Sequence, residues 1–443
     1  MAYSNDLKAP ALVAETSLLS MIPKNSLGQA EALTPTQTLI QQWRERGAIR
    51  AIDHYWIEAL ASQAGETQAA VILAGVLCSA YLGKGHVCLS LSAVFSSPGL
   101  EAASSAVQKQ ELSLWQAILQ TSGVCSLADW QACLLASPLV SPAHQSTPMV
   151  LQQDRLYLAR YYHYEEQIYH YLKHAAAAPL FAIEKSWLDD LFEHYDDQQD
   201  DIDWQKVAVA SAAMQTFSVI SGGPGTGKTT TVTKLLALLV RQAQAQGQSL
   251  NIKLTAPTGK AAARLTESIS RAKQSLTLDE TIKAAIPERA STLHRLLGAN
   301  FGRSEFKHNR LNPLHPDVLL VDEVSMVDLP MMAKLVDALP PHSRLILLGD
   351  KDQLASVEAG GVLADMTAGL EPIQFLPNWS QQLAQLVDAR LQAYANPQAE
   401  WLRCHLTLLT KSYRFDDLSG IGQLAQAVNK GKEALTLQRL LQA

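Results

Sequence analysis

Ser221-Gly222-Gly223-Pro224-Gly225-Thr226-Gly227-Lys228-Thr229 follows an apolar, β-prone run, Phe217 to Ile220, and precedes an apolar-periodic stretch that opens at Thr230. Strand, glycine-rich loop, helix is the order that a G-x-x-x-x-G-K-[ST] phosphate loop requires, because loop N–H groups and a helix N-terminus must together face a phosphate chain. Glycines serve where a Cβ would block that approach or where φ must be positive. Gly222, Gly223, Pro224, Gly225, Thr226 and Gly227 are therefore candidate nucleotide-binding residues, together with Lys228, Thr229 and Thr230 at the helix start. Lys228 would reach the β and γ phosphates, and the Thr229 hydroxyl would ligate Mg²⁺. The expected ligands are ATP and Mg²⁺.

Around this loop the chain alternates short apolar strands with helices. Strands are expected at 218–221, 253–256, 318–321 and 345–348, and helices at 205–215, 228–245, 260–271 and 329–339. Continuous apolar strands imply a sheet covered on both faces. The fold class is thus α/β: a P-loop, RecA-like doubly wound parallel sheet, with ligand at the carboxyl ends of its strands.

Those ends carry the chemistry. Val318 to Glu323, V-L-L-V-D-E, delivers two carboxylates. Asp322 suits Mg²⁺, directly or through water, and Glu323 suits orienting or deprotonating the attacking water. Leu345 to Gln353, L-I-L-L-G-D-K-D-Q, brings Asp350 to shape the site and Gln353 to report on the γ-phosphate, while Arg414 in K-S-Y-R-F is a candidate arginine finger. Gln205, ahead of the first strand, would pair with the adenine edge. Ala256 to Leu265 and Ser291 to Gly298 place Pro257, Thr258, Lys260, Thr292 and His294 near strand ends. Small hydroxyl and basic groups there suit phosphate-backbone contacts on single-stranded DNA, which give affinity without sequence information.

The remainder sets bounds. At 443 residues, with 47% hydrophobic and 18% charged, the chain is globular and large enough for two or three cores. Its net charge of −6 supplies no global basic field, so contact with a polyanion has to be local. Five cysteines without a C-x-x-C pair suggest reduced thiols and a cytoplasmic location. The longest apolar run, Ala69 to Leu82, is too short to span a bilayer and reads as a buried helix, so no membrane partner is expected. Helical patterns from Thr36 onward indicate a mostly helical N-terminal domain, residues 1–188, with short strands at Gly85 to Leu89 and from Arg155. Tyr157 to Tyr171 is a base-stacking platform or, more simply, aromatics packed at a helix or domain interface. His86, His163, His170 and His174 lack metal spacing. Residues 189–203, with eight acids and no lysine or arginine, read as an acidic linker ahead of a motor domain at 204–415. A polar segment near 299–314, with Arg303, Lys307, His308 and Arg310, is a surface hairpin or a basic hairpin touching nucleic acid.

In order, Gln205, G-G-P-G-T-G-K-T, A-P-T-G-K-A-A-A-R-L, T-L-H-R-L-L-G, V-D-E-V-S-M-V-D, G-D-K-D-Q-L-A-S-V-E-A-G and S-Y-R-F resemble the superfamily 1 DNA helicases. The A-S-V, where related helicases have P-P-V, and the N-terminal G-H-V-C-L and R-L-Y-L-A-R-Y are similar to the RecD family, the alpha subunits of bacterial exonuclease V. That resemblance implies an ATP-driven motor moving 5′ to 3′ on single-stranded DNA, in a heterotrimer with RecB-like and RecC-like subunits that acts in double-strand break repair and recombination. It implies an N-terminal domain that docks a partner subunit. Two further helicase motifs of the second motor domain are not found, so residues 416–443 are expected to be only the start of that domain, in a C-terminally truncated chain. Two other functions fit the loop: an assembly subunit of weak catalysis, and a protein-remodelling P-loop ATPase, for which the A-P-T-G-K and T-L-H-R-L-L-G stretches have no use.

Overall fold

The computed structural model describes residues 33–100, 105–143, 146–192, 201–300, 302, 305–353, 358–411 and 413. Thr34 starts the first helix with a reciprocal cap, its hydroxyl accepting from the Gln37 N–H while the Gln37 carboxamide accepts from the Thr34 N–H. Helices α1 (Pro35–Glu45), α2 (Ala51–Ala64) and α3 (Ala69–Gly83) follow, then α4 (Leu91–Phe95), α5 (Ser105–Thr121) and α6 (Leu127–Ala136). The apolar run read as a buried helix is α3, buried from Ala70 to Ala80 at every position except Ile72. Against it stand Trp43, Trp115 and Trp130, all fully buried, with Trp115 edge-on to Trp130 at 5.7 Å between ring centroids. Among the described residues no helix is long and apolar enough to cross a membrane.

This N-terminal part also holds a four-stranded sheet in the order β1-β4-β3-β2, from β1 (Cys88–Ser90), β2 (Val140–Ser141), β3 (Met149–Gln152) and β4 (Arg155–Leu158). The sequence reading found β1 and β4 and missed β2 and β3. The β3–β4 turn is tight enough to force Gln153 to φ 54°.

Helix α7 (Ala159–Ala176) leaves this sheet and enters the motor core, where Tyr161, Ile168, Leu172 and Ala175 pack with Val219, Leu319 and Leu347. Tyr157, Tyr161 and Tyr162 are buried, as aromatics packed at an interface are, whereas Tyr169 is exposed. After α8 (Lys185–Asp190) most of the acidic run, residues 193–200, lies outside the described residues. Its described flanks are engaged: Asp189 pairs with Lys206 at 2.7 Å and Asp190 with Arg241 at 2.8 Å.

The motor sheet then assembles from α9 (Trp204–Met214), β5 (Phe217–Gly222), α10 (Lys228–Ala245), β6 (Ile252–Ala256), α11 (Gly259–Ser275), α12 (Glu280–Ala285), β7 (Ala290–Thr292), α13 (Leu293–Leu297), β8 (Val318–Val321), α14 (Leu329–Ala338), β9 (Arg344–Gly349), α15 (Val362–Thr367), α16 (Pro377–Leu386) and β10 (Leu406–Leu409). The strand order is β10-β5-β9-β8-β6-β7, and every pairing is parallel. Side chains alternate between two cores: Ile220, Leu320 and Ile346 face α9, α10 and α16, whereas Val219, Leu319 and Leu347 face α7 and α14. The sheet is doubly wound, as its continuous apolar strands require.

Two loops qualify the sequence reading. Between α13 and β8 the described hairpin closes on Asn309, whose side-chain oxygen accepts from the Leu311 and Asn312 N–H groups, leaving Leu311 91% exposed; Arg303 lies outside the described residues. After β9, the Gly360 N–H donates to the Gly85 carbonyl at 3.2 Å, joining the N-terminal part to the motor. Gly360 has φ +94°, and a Cβ there would stand 2.6 Å from the Leu329 Cβ and 3.0 Å from the Val87 Cγ1. Strained backbone and overpacking add, so Gly360→Ala is expected to lower the unfolding free energy by about 2–4 kcal/mol in urea denaturation. A loss under about 0.5 kcal/mol, the range of an ordinary surface substitution, would show that this contact is not made.

Candidate nucleotide site

Strand β5 ends between β10 and β9, and the loop that leaves it turns through Gly225 and Gly227, both at φ +80°, before α10 begins at Lys228. The left-handed Gly227 is the helix N-cap, so the first N–H groups of an 18-residue helix open toward the loop. Thr226 tightens the loop by donating its hydroxyl to the Gly223 carbonyl at 2.9 Å. Lys228 folds back over the loop and donates its ammonium to the carbonyls of Gly222 and Gly223. Thr229 and Thr230 lie in the first helical turn, half-buried.

Neighbouring strands bring the acids to the same edge. Asp322 follows β8, its N–H bonded to the Thr255 carbonyl at 2.8 Å, and its carboxylate accepts from the Glu323 N–H at 2.8 Å. Burial pushes the Asp322 carboxyl up to about 6, against a lowering by that hydrogen bond and by Lys228. Glu323 is held at φ 54°, ψ 43°, a left-handed conformation that a non-glycine residue adopts only when its surroundings impose it. Asp350, at the end of β9, is buried, and burial raises its carboxyl too while Lys228 pulls it down. One ammonium therefore acts on carboxylates from two strands. Gln353 sits in the turn that Asp350 caps and accepts from the Ser325 hydroxyl at 3.1 Å. The Lys351 N–H donates to the Ser221 hydroxyl at 3.1 Å, tying the end of β9 to that of β5.

Beside the start of α10 opens a cleft of about 630 Å³ lined by Phe192, Asp203, Gln205, Gly227, Lys234 and Tyr413, among others. Gln205 donates to the Thr226 carbonyl at 3.0 Å, so the residue expected at the adenine edge also braces the phosphate loop. Asp203 caps α9 by accepting from the Gln205 and Lys206 N–H groups at 2.9 and 3.1 Å. Lys234 stands 3.7 Å over the Phe192 ring, and burial lowers its ammonium pKa. Tyr413 donates its N–H to the Gly225 carbonyl at 2.8 Å. The site fits a nucleoside triphosphate with a divalent cation: positive-φ glycines and a helix N-terminus for phosphates, a buried acid for the cation, an aromatic-walled cleft for the base.

The candidate DNA residues gather elsewhere on that edge. Ala256 of β6 pairs in register with Thr292 of β7, which sets Pro257, Thr258 and Lys260 beside Thr292 and His294. Each threonine caps a helix, Thr258 accepting from the Ala261 N–H at 3.1 Å and Thr292 from the Arg295 N–H at 3.3 Å, and each keeps its own O–H to donate. They build helix ends, and Lys260 and His294 are the exposed groups. Arg414 lies outside the described residues. Sequence reasoning missed Ser325, Lys351, Ser221 and Tyr413, whose parts come from contacts between segments; V-S-M directly after D-E and the tyrosine beside Arg414 were the available signals.

The sign of the Asp322 effect is fixed by its direction. A carboxyl held at about 6 in the fold, above its ordinary 3.8, takes up a proton on acidification before the unfolded chain does. Its contribution to stability is best below the ordinary value and is lost as pH rises through 6. Asp322→Asn keeps the acceptor oxygen and removes the charge. Without nucleotide it is expected to raise stability at pH 7.5 by roughly 1–2 kcal/mol, and to raise it less at pH 5. Equal melting temperatures at pH 7.5 would show the carboxylate to be well solvated.

Residues 45–157 match the family model described as the N-terminal domain of RecBCD enzyme subunit RecD, and residues 205–359 match an AAA domain model. The RecBCD enzyme subunit RecD of Haemophilus influenzae is 38% identical over 416 residues, covering 89% of this chain and 62% of that one. Its counterpart from Mycobacterium tuberculosis is 39% identical over 339 residues, 75% of this chain and 52% of that one. An ATP-dependent RecD2 DNA helicase of Deinococcus radiodurans is 46% identical over 142 residues, 32% of this chain and 16% of its own length. The chain thus spans between half and two thirds of the length of the two RecD subunits it matches. One chain thus matches a RecD N-terminal domain ahead of an AAA domain, and over 89% of its length it is similar to a RecBCD enzyme subunit RecD.

Proposed function

We propose that this chain is the ATP-hydrolysing motor part of a DNA helicase subunit that moves 5′ to 3′ on single-stranded DNA. In this reading it assembles with RecB-like and RecC-like subunits into a RecBCD-type exonuclease, in the cytoplasm, and serves double-strand break repair and recombination. The observation that carries the reading is the convergence of Lys228, Asp322, Glu323 and Gln353 at the ends of three adjacent strands, β5, β9 and β8. The family of its relatives supplies the DNA substrate and the partners.

The residues divide the work. The Gly222 to Thr230 backbone and Lys228 bind the phosphates, so that little reorganisation remains at the moment of transfer. Thr229 and Asp322 would hold Mg²⁺, which would neutralise phosphate charge. Glu323 accepts the proton of the attacking water, its carboxylate aimed by the left-handed backbone beneath it. Gln353 reads the γ-phosphate, Gln205 the base, and Arg414 supplies positive charge to the transition state. Lys260 and His294, with the N–H groups that open α11 beyond Pro257 and Thr258, contact the DNA backbone next to Thr292.

Steady-state ATP hydrolysis by the 443-residue chain, with and without single-stranded DNA, tests the proposal. Stimulation by DNA is expected; turnover indifferent to DNA would favour a P-loop ATPase acting on protein. Lys228→Ala should lower turnover at least about a hundredfold while leaving the melting temperature within a few degrees, because the lysine contributes to phosphate binding and not to the core. Glu323→Gln should keep nucleotide binding and slow hydrolysis about a hundredfold or more. Parallel loss of binding in that variant would overturn its role as base.

A further inference from the structure

A carboxamide is ambiguous: its oxygen accepts, its nitrogen donates two hydrogens, and nothing intrinsic decides which end meets a ligand. Gln353 is exposed and follows a turn, so its own backbone does little to settle the matter. Ser325 does. Its side chain is buried in the turn Val324–Met326 directly after Glu323, and its hydroxyl donates to the Gln353 Oε1 at 3.1 Å. The Ser325 turn also lies against the end of β9, since a Cβ added at Gly349 would overlap the Leu363 Cδ2 and stand 3.5 Å from the Ser325 nitrogen and 3.6 Å from that of Val324.

We infer that Ser325 is a positioning residue that engages the carboxamide oxygen of Gln353 and so commits its N–H₂ end to reading the γ-phosphate. A phosphate oxygen only accepts, so a donor-only group is the complementary one, and a freely rotating amide would spend part of its time presenting an oxygen that repels it. The same hydrogen bond links the turn bearing Glu323 to the turn bearing Gln353. Presence or absence of the third phosphate is thereby reported to the residue that handles the attacking water. This rests on the ATPase reading above.

The test is nucleotide discrimination, which needs no turnover. Displacement of mant-ADP from the full chain in Mg²⁺ by ADP and by the non-hydrolysable analogue AMP-PNP gives a preference ratio for wild type, Ser325→Ala, Ser325→Thr, Gln353→Ala and the double variant Ser325→Ala/Gln353→Ala. Wild type should prefer AMP-PNP. Ser325→Ala should lower that preference about three- to tenfold, the worth of one oriented hydrogen bond, with ADP affinity unchanged. Ser325→Thr, which keeps the hydroxyl, should retain it, and the double variant should fall no further than Gln353→Ala alone, because the serine acts only through the glutamine. An undiminished preference in Ser325→Ala, an additive double variant, or loss of ADP affinity alongside would overturn the role. Wild type that binds nucleotide without preference would overturn it as well and leave the P-loop reading standing. Wild type that binds neither nucleotide would overturn both.

Discussion

A parallel sheet covered on both faces leaves polar chemistry only one place to go, the ends of its strands. In this protein every residue of β8 is buried and apolar, and β9 is nearly so, with side chains alternating between two separate cores. None of those positions can carry a charge without a partner. The residues directly after the two strands therefore hold the acids: Asp322 after Val321, Asp350 after Gly349. Because the strands are parallel, these groups arrive at the edge where β5 delivers its glycine loop.

What gathers there is kept in tension by charge. Asp322 and Asp350 are both pushed toward neutrality by burial, and Lys228 opposes the push on each. The lysine meanwhile donates to two loop carbonyls. A ligand bearing phosphates and a divalent cation satisfies all these groups together, because the cation relieves the acids while the phosphates take the ammonium. Backbone strain is confined to the same place: Glu323 is one of two non-glycine residues at positive φ among the described residues, the other being Gln153 in a hairpin turn. Strain of this kind persists when packing over-determines it, and here the neighbouring Val324 and Val327 are buried on either side of the turn.

How legible the structure is in the sequence follows from the same constraint. The strands β5, β6, β8 and β9 declare themselves because burial on two faces makes continuous apolar runs, and α10 and α14 because a loop or an Asp328 cap marks their starts. The edge strands β7 and β10 do not: three half-buried residues, Ala290 to Thr292, give no period, and Leu406 to Leu409 follow a short 3₁₀ turn with no strand-forming signal of their own. In the site, Lys228, Asp322, Glu323 and Gln353 are legible since their spacing to a strand end states their chemistry. Ser325 and Tyr413 are not. Each acts by touching a segment distant in sequence, Gln353 in one case and Gly225 in the other, and no local pattern encodes such a meeting. Thr258 and Thr292 each cap a helix, a use that residue type alone does not distinguish from ligand contact.

The N-terminal part is bound into the motor by this logic as well. Helix α7 covers one face of the sheet, so the segment carrying Tyr161 and Leu172 is part of the motor core. The Gly85 turn meets Gly360 seven positions beyond Gln353, at a glycine where neither a Cβ nor another φ is tolerated. Nearby, Glu165 of α7 faces Asp365 of α15, and burial raises both carboxyls. On either side of Gln353, Lys351 is bonded to the end of β5 and Gly360 to the N-terminal part. The anchor at β5 adjoins the phosphate loop and belongs to a strand of six buried residues. The anchor at Gly85 is an exposed turn of the N-terminal part. In sequence, Gln353 therefore lies between one anchor in the motor sheet and one in the N-terminal part.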